Sequence, residues 1–146
     1  MIDTKTGIID FFIGKEKLFV FGITSNNVFA NEIKLTPQFT QALSDFRKAV
    51  SNETQYASLD TWNIYNESAY FLYQELLENV LMEFEKEKIE SLVLLPDGVL
   101  SFIPFEILLK NPSESSAPDY RPLDYCLLYT SPSPRDATLS RMPSSA

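Results

Sequence analysis

A chain of 146 residues, 45% hydrophobic and 13% aromatic, is about one domain long and carries enough apolar material for a packed core. Twelve Lys and Arg against twenty Asp and Glu give a formal charge of -8, which repels phosphate backbones and anionic lipid alike, so neither nucleic acid nor a membrane is an expected partner. With no histidine and a single cysteine, Cys126, the sequence offers no imidazole for zinc or for a Ser-His or Cys-His pair, and no internal disulfide. No cofactor or metal is expected, and with no apolar run near the roughly 18 residues of a spanning helix and no leader-like start, the expected location is cytoplasmic.

The first elements follow from β-branched and aromatic runs. Residues 7–13 and 18–24 flank a turn-like Gly14-Lys15-Glu16-Lys17 and predict a hairpin, and Val28 to Leu35 returns after Ser25-Asn26-Asn27 as a third antiparallel strand. Thr36-Pro37 supplies an N-cap with proline at the first helical position, and Phe39, Leu43, Phe46 and Val50 predict a helix to about Ser51. The irregular stretch 52–65 reads as a loop, with Trp62 and Ile64 pinning it to the core. A longer helix is expected over 67–86, its apolar stripe made by Ala69, Tyr73, Leu76, Leu77, Val80, Leu81 and Phe84, with Glu75, Glu78, Glu83 and Glu85 pointing away. Ser91 to Pro96 then reads as a short strand buried on both faces.

The segment Pro96-Asp97-Gly98-Val99-Leu100-Ser101-Phe102-Ile103-Pro104-Phe105-Glu106-Ile107-Leu108 is the most informative one. Pro96 ends the strand, Asp97-Gly98 makes a tight turn, and Pro104 starts a short helix with Glu106 in its first turn. Leu100, Ile103, Phe105 and Leu108 are the side chains expected to dock it on the sheet. This segment resembles the CHAT family, the caspase-like domains associated with tetratricopeptide repeats, whose first half carries a hydrophobic strand, Pro-Asp-Gly, a leucine and Pro-Phe-Glu-x-Leu. The preceding order of meander, helix and long helix is similar too.

The resemblance implies an α/β fold, an incomplete caspase-like α/β/α sandwich with an N-terminal antiparallel β-meander. It also implies a parent that is a cysteine peptidase in regulated proteolysis, with a protein or peptide substrate and with tetratricopeptide repeats in the same chain. The family's catalytic histidine and cysteine lie further along than any residue here. No catalytic, cofactor-binding or metal-binding residue is carried over, and the chain itself is expected to be inactive.

Pro112 to Pro118 reads as an exposed loop, and beyond it the composition shifts from Cys126 onward to Ser, Pro, Thr and Arg. Reverse translation of Cys126–Asp136, and again of Ser140–Ala146, resembles one reading frame of a widely used transposase sequencing adapter, with Ala137, Thr138 and Leu139 in the place of its variable index. Residues 126–146 are therefore expected to be a non-natural, disordered tail, and residues 1–125 the N-terminal part of a CHAT-like domain. Setting aside Arg135, Arg141 and Asp136 leaves ten basic and nineteen acidic residues, a net -9. Cys126, at the joint and without an imidazole, is not a nucleophile candidate.

Two other readings stand beside this one. Asp97 and Glu106 could serve as paired carboxylates of a hydrolase, since both follow the end of a buried strand, although Asp before Gly is ordinary turn chemistry and Glu in a first helical turn an ordinary dipole complement. The chain could instead belong to a non-catalytic protein–protein interaction module, with the acidic row Glu75, Glu78, Glu83, Glu85, Glu87 and Glu90 facing a basic partner or simply solvent. Cut after its first central strands, the fold should leave the run Leu92 to Leu95 as an open edge beside exposed apolar surface.

Overall fold

A computed structural model describes residues 2–51, 59–112, 129–132 and 138–141 of the chain, the last two stretches as backbone only. The fold is mixed α/β. Strands β1 (Thr6–Ile13), β2 (Lys17–Ile23) and β3 (Val28–Lys34) form the antiparallel meander, and helices α1 (Pro37–Ser51), α2 (Leu59–Leu76) and α3 (Glu78–Lys86) lead to strand β4 (Ser91–Leu95), which pairs parallel to β1. The register sets Ile9 against Gly22 and Leu94, and Phe11 against Val20.

Alternation along the strands divides the sheet into two unlike faces. Ile9, Phe11, Leu18, Val20, Leu92 and Leu94 are all buried beneath the helices and belong to one core cluster. On the other face Phe12 and Val28 are exposed, and Ile8, Phe19, Phe21, Ile23 and Val93 are half-buried. Phe12, Phe19 and Phe21 form a row there, with ring centroids 6.4 and 6.5 Å apart. Among the described residues no helix covers this face. β4 is accordingly buried on one face only, with Leu95 exposed at its end, where the sequence predicted burial on both.

The helices are tied to the sheet at one contact of unusual closeness. Phe84 of α3, fully buried, lies over Gly7 of β1 and Gly22 of β2. A Cβ on Gly7 would sit 2.5 Å from the Phe84 ring, and a Cβ on Gly22 would sit 2.8 Å from Val80 and 3.2 Å from the same ring. Glycine here makes the dent that receives the ring, and Phe29 closes its flank at 6.4 Å between centroids. Past Phe84 the helix ends with Lys88 at φ 57°. The Lys88 N–H donates to the Glu85 carbonyl and the Ile89 N–H to the Phe84 carbonyl, both at 3.1 Å, a paired helix stop that turns the chain into β4.

Most helix boundaries follow the sequence. The Thr36 hydroxyl accepts the Phe39 N–H at 3.2 Å as the expected N-cap of α1, and all seven apolar positions of the 69–84 stripe are buried. Two expectations are corrected. The stretch 59–65 is the start of α2 and not a loop. Within it Trp62 is fully buried while Ile64 is exposed, because Trp62 packs with Tyr65 (6.1 Å), which stacks on Phe46 of α1 (6.1 Å), and that contact fixes which side of the helix faces inward. Residues 52–58 lie outside the described residues. The single helix over 67–86 is locally distorted at Leu77 (φ -122°, ψ -32°), yet the Leu77 N–H reaches Tyr73 O and the Leu81 N–H reaches Leu77 O, each at 2.9 Å, so its hydrogen bonding runs through.

The segment expected to be a disordered tail contributes two strands, β5 (Tyr129–Pro132) and β6 (Thr138–Arg141), and β6 pairs antiparallel with β4, extending the sheet to the order β3-β2-β1-β4-β6-β5. Of the open edge expected at Leu92–Leu95, Leu92 to Leu94 are thus paired. An edge strand presents a row of unpaired donors and acceptors, and a short extended segment satisfies them through its main chain whatever its side chains. The rest of 126–146, Cys126 included, and the Pro112–Pro118 loop beyond Pro112 lie outside the described residues.

Filling the dent should be costly. Gly7→Ala or Gly22→Ala is expected to lower unfolding stability by about 1–3 kcal/mol through overpacking, and Phe84→Ala by about 3–5 kcal/mol through the cavity it leaves, measured by urea titration. Loss below 0.5 kcal/mol in both glycine variants would show that the ring can move aside.

Candidate functional site

The turn leaving β4 is where the sequence placed its functional candidates. Gly98 has φ +54°, a conformation that excludes ordinary side chains at low cost, and a Cβ there would also press on Ile13 at 3.3 Å. Asp97, just before it, reaches back across the sheet: its Oδ2 accepts the Ile13 N–H at 2.9 Å. The carboxylate therefore fastens the carboxyl end of β1 to the turn after its parallel neighbour. Downstream, Leu100, Ile103, Phe105 and Leu108 are buried as expected, Phe105 stacks on Phe11 at 5.3 Å, and the Tyr65 hydroxyl donates to the Ile107 carbonyl at 2.8 Å. The Pro-Asp-Gly motif and the short 3-10 turn that follows it are a docking device for the sheet's end.

The geometry does not assemble a two-carboxylate site. Glu106 is half-buried in the first turn of the 3-10 segment Phe105–Ile107, and no hydrogen bond or ion pair among the described residues joins it to Asp97, whose Oδ2 accepts the Ile13 amide. Nor is the acidic row a free strip. Glu83 pairs with Lys86 at 2.9 Å, Glu90 with Lys5 at 2.7 Å, and Glu87 caps the β2–β3 turn, accepting from the Thr24 hydroxyl at 2.7 Å and from Asn27 Nδ2 at 2.5 Å. No group of three or more His, Cys, Asp or Glu side chains able to hold a metal occurs among the described residues.

Those hydrogen bonds from Asn27 and then Thr24 hold the Glu87 carboxyl below the usual glutamate range. Lys5 is shifted upward by its hydrogen bond to Glu90 and that charge, but both side chains are more than half exposed, and such a pair contributes little to stability.

Sequence reasoning did not single out the groove between the second half of α1 and the turn after β4. It has a volume of about 570 Å³, and its lining includes Leu43, Ser44, Arg47 and Lys48 on one side and Val99 and Phe102 on the other. Phe102 is 69% exposed, unlike Leu100, Ile103, Phe105 and Leu108 of the motif, and the Arg47 guanidinium carbon lies 5.5 Å from its ring centroid. The available signal was negative: Phe102 is the aromatic of the motif without an assigned docking role.

No family model matches the chain, and no curated protein or solved structure matches it either. Among the described residues no helix is long and apolar enough to cross a membrane.

Two measurements check this account. Asp97→Ala should cost about 1–3 kcal/mol by leaving the Ile13 amide unpaired, with Asp97→Asn costing less and amide exchange at Ile13 quickening in both. For Glu87, a carboxyl with a lowered folded value contributes stability that is present above the ordinary glutamate range and lost as pH falls through the folded value. The wild type should therefore lose more of its thermal midpoint between pH 7 and pH 3 than Glu87→Gln does; equal losses would remove Glu87 from the acid response.

Proposed function

We propose that this chain is the N-terminal part of a CHAT-like domain whose parent is a cytoplasmic, caspase-like cysteine peptidase of regulated proteolysis, and that the chain is inactive by itself because it carries no His/Cys dyad. The observation that carries the reading is the Pro96–Leu108 motif at the carboxyl end of β4, where Asp97 ties the turn to β1 and the motif's apolar residues are buried against the sheet. Such a strand end is where α/β folds build their sites, and a peptidase of this chemistry needs a thiolate, an imidazole and backbone amides for the oxyanion.

The uncovered face of the sheet supports the same reading. A row of three phenylalanines with flanking Ile8, Ile23, Val28 and Val93 is what a second helical layer would cover in a complete three-layer domain. The substrate of the parent is accordingly a protein or peptide, and tetratricopeptide repeats are its expected companions in the same chain. The same open face favours a second reading, a non-catalytic interaction module that uses it for binding.

Resequencing the locus through the Tyr125 codon separates them. A frame that continues into a histidine and a cysteine on later predicted strands is the expected result. Genuine codons for Cys126 to Ala146 followed by a stop would overturn the peptidase reading and leave the small interaction module.

A further inference from the structure

The groove between α1 and the turn after β4 is chemically unlike the rest of the surface. In a chain of charge -8, Arg47 and Lys48 stand exposed at its wall, and neither makes an ion pair among the described residues. The nearest acid in sequence, Asp45, does not line the groove and accepts a hydrogen bond from Gln41 at 2.8 Å. Among the described residues no acidic one lines it. Lys48 also lies in the last turn of α1, where a cation complements the helix dipole, so Arg47 is the group left over for a ligand.

Arg47 is moreover arranged to bind. The guanidinium carbon lies over the Phe102 ring, 5.5 Å from its centroid, a cation–π contact that places the charge beside the apolar wall, and a guanidinium is suited to pairing with a carboxylate. Beside it Val99, 48% exposed, and Phe102 offer apolar surface that the fold does not use, although Leu100, Ile103, Phe105 and Leu108 of the same segment are all buried. A cation flanked by unused apolar surface, in a concave site off the carboxyl end of a central strand, fits a ligand that is both acidic and hydrophobic.

We propose that this groove binds an acidic peptide segment carrying an aromatic or aliphatic anchor residue, whose carboxylate pairs with Arg47 while the anchor packs on Val99, Phe102 and Leu43. A nucleic acid is disfavoured, because two cations are few for a phosphate backbone and the whole-chain charge opposes it. A small inorganic anion would leave the apolar wall unused. The proposal stands on the groove alone and does not depend on the CHAT-like reading.

The test uses the full 146-residue chain. A dye-labelled peptide with a central Phe-Leu pair flanked by glutamates is titrated by fluorescence anisotropy, beside one with lysines for the glutamates and one of glutamates alone. Only the first should bind, and its affinity should fall with added salt. Arg47→Gln and Phe102→Ser should each weaken it about tenfold or more, and Lys48→Gln less, with thermal midpoints unchanged because the side chains are exposed. Amide signals of 43–48 and 99–102 should shift on binding. The proposal is overturned if none of the peptides binds, if the lysine or all-glutamate peptide binds as well, if folded Arg47→Gln and Phe102→Ser proteins bind like wild type, or if the shifts map to the Phe12, Phe19 and Phe21 face.

Discussion

One aromatic ring seated on two glycines sets the geometry of this molecule. Phe84 lies closer to the backbone of β1 and β2 than any side chain at positions 7 and 22 would allow, and this pulls α3 down onto the sheet. Once α3 is seated, Val80 and Leu81 are buried with it, and the helix stop at Lys88 delivers the chain to the start of β4 beside β1, where the Lys5 carbonyl accepts the Glu90 and Ser91 amides at 2.9 and 3.1 Å. The chain thus reaches the parallel pairing of β1 with β4, and with it the position of the Pro-Asp-Gly turn, through the helix that this contact seats.

The Asp97 clamp completes the frame at the opposite end of the same strand pair. Parallel neighbours cannot be joined by a tight turn, so their ends separate unless something else holds them. At the amino ends the Lys5 carbonyl does this, and at the carboxyl ends the Asp97 side chain does it through the Ile13 amide. One oxygen of that carboxylate holds two strand ends together, and among the described residues no bond joins it to a second carboxylate.

What could be read from the sequence was whatever depended on a single face. The meander strands alternate, the stripe from Ala69 to Phe84 is buried throughout, and Thr36-Pro37 caps α1 as its chemistry dictates. The start of α2 was hidden because it faces two ways. The Tyr65 ring meets α1 at Phe46, while its hydroxyl and the Ala69 carbonyl serve the 107–109 segment, so the buried set includes Asn66 and Ser68 and no simple apolar period emerges. The Ser68 hydroxyl donates to the Ile64 carbonyl at 2.6 Å, and a helix can bury that small polar group for this reason alone. The edge pairing of β4 was illegible because main-chain hydrogen bonds carry no side-chain signature. The groove was illegible because it joins α1 to a segment far along the chain, and only the fold brings Arg47 beside Phe102.

The pairing of β1 with β4 also has a kinetic meaning. Lys5 and Glu90 are 85 residues apart, so the contacts that close the sheet must wait for a long loop to be ordered, whereas β1, β2 and β3 meet through short turns. During synthesis the meander emerges first, with the glycine dent empty and both of its apolar faces wet, until α3 has left the ribosome and Phe84 can fill it. For that interval the nascent chain presents a sticky aromatic sheet to the cell. Its yield will then be governed less by final stability than by how quickly the helices arrive.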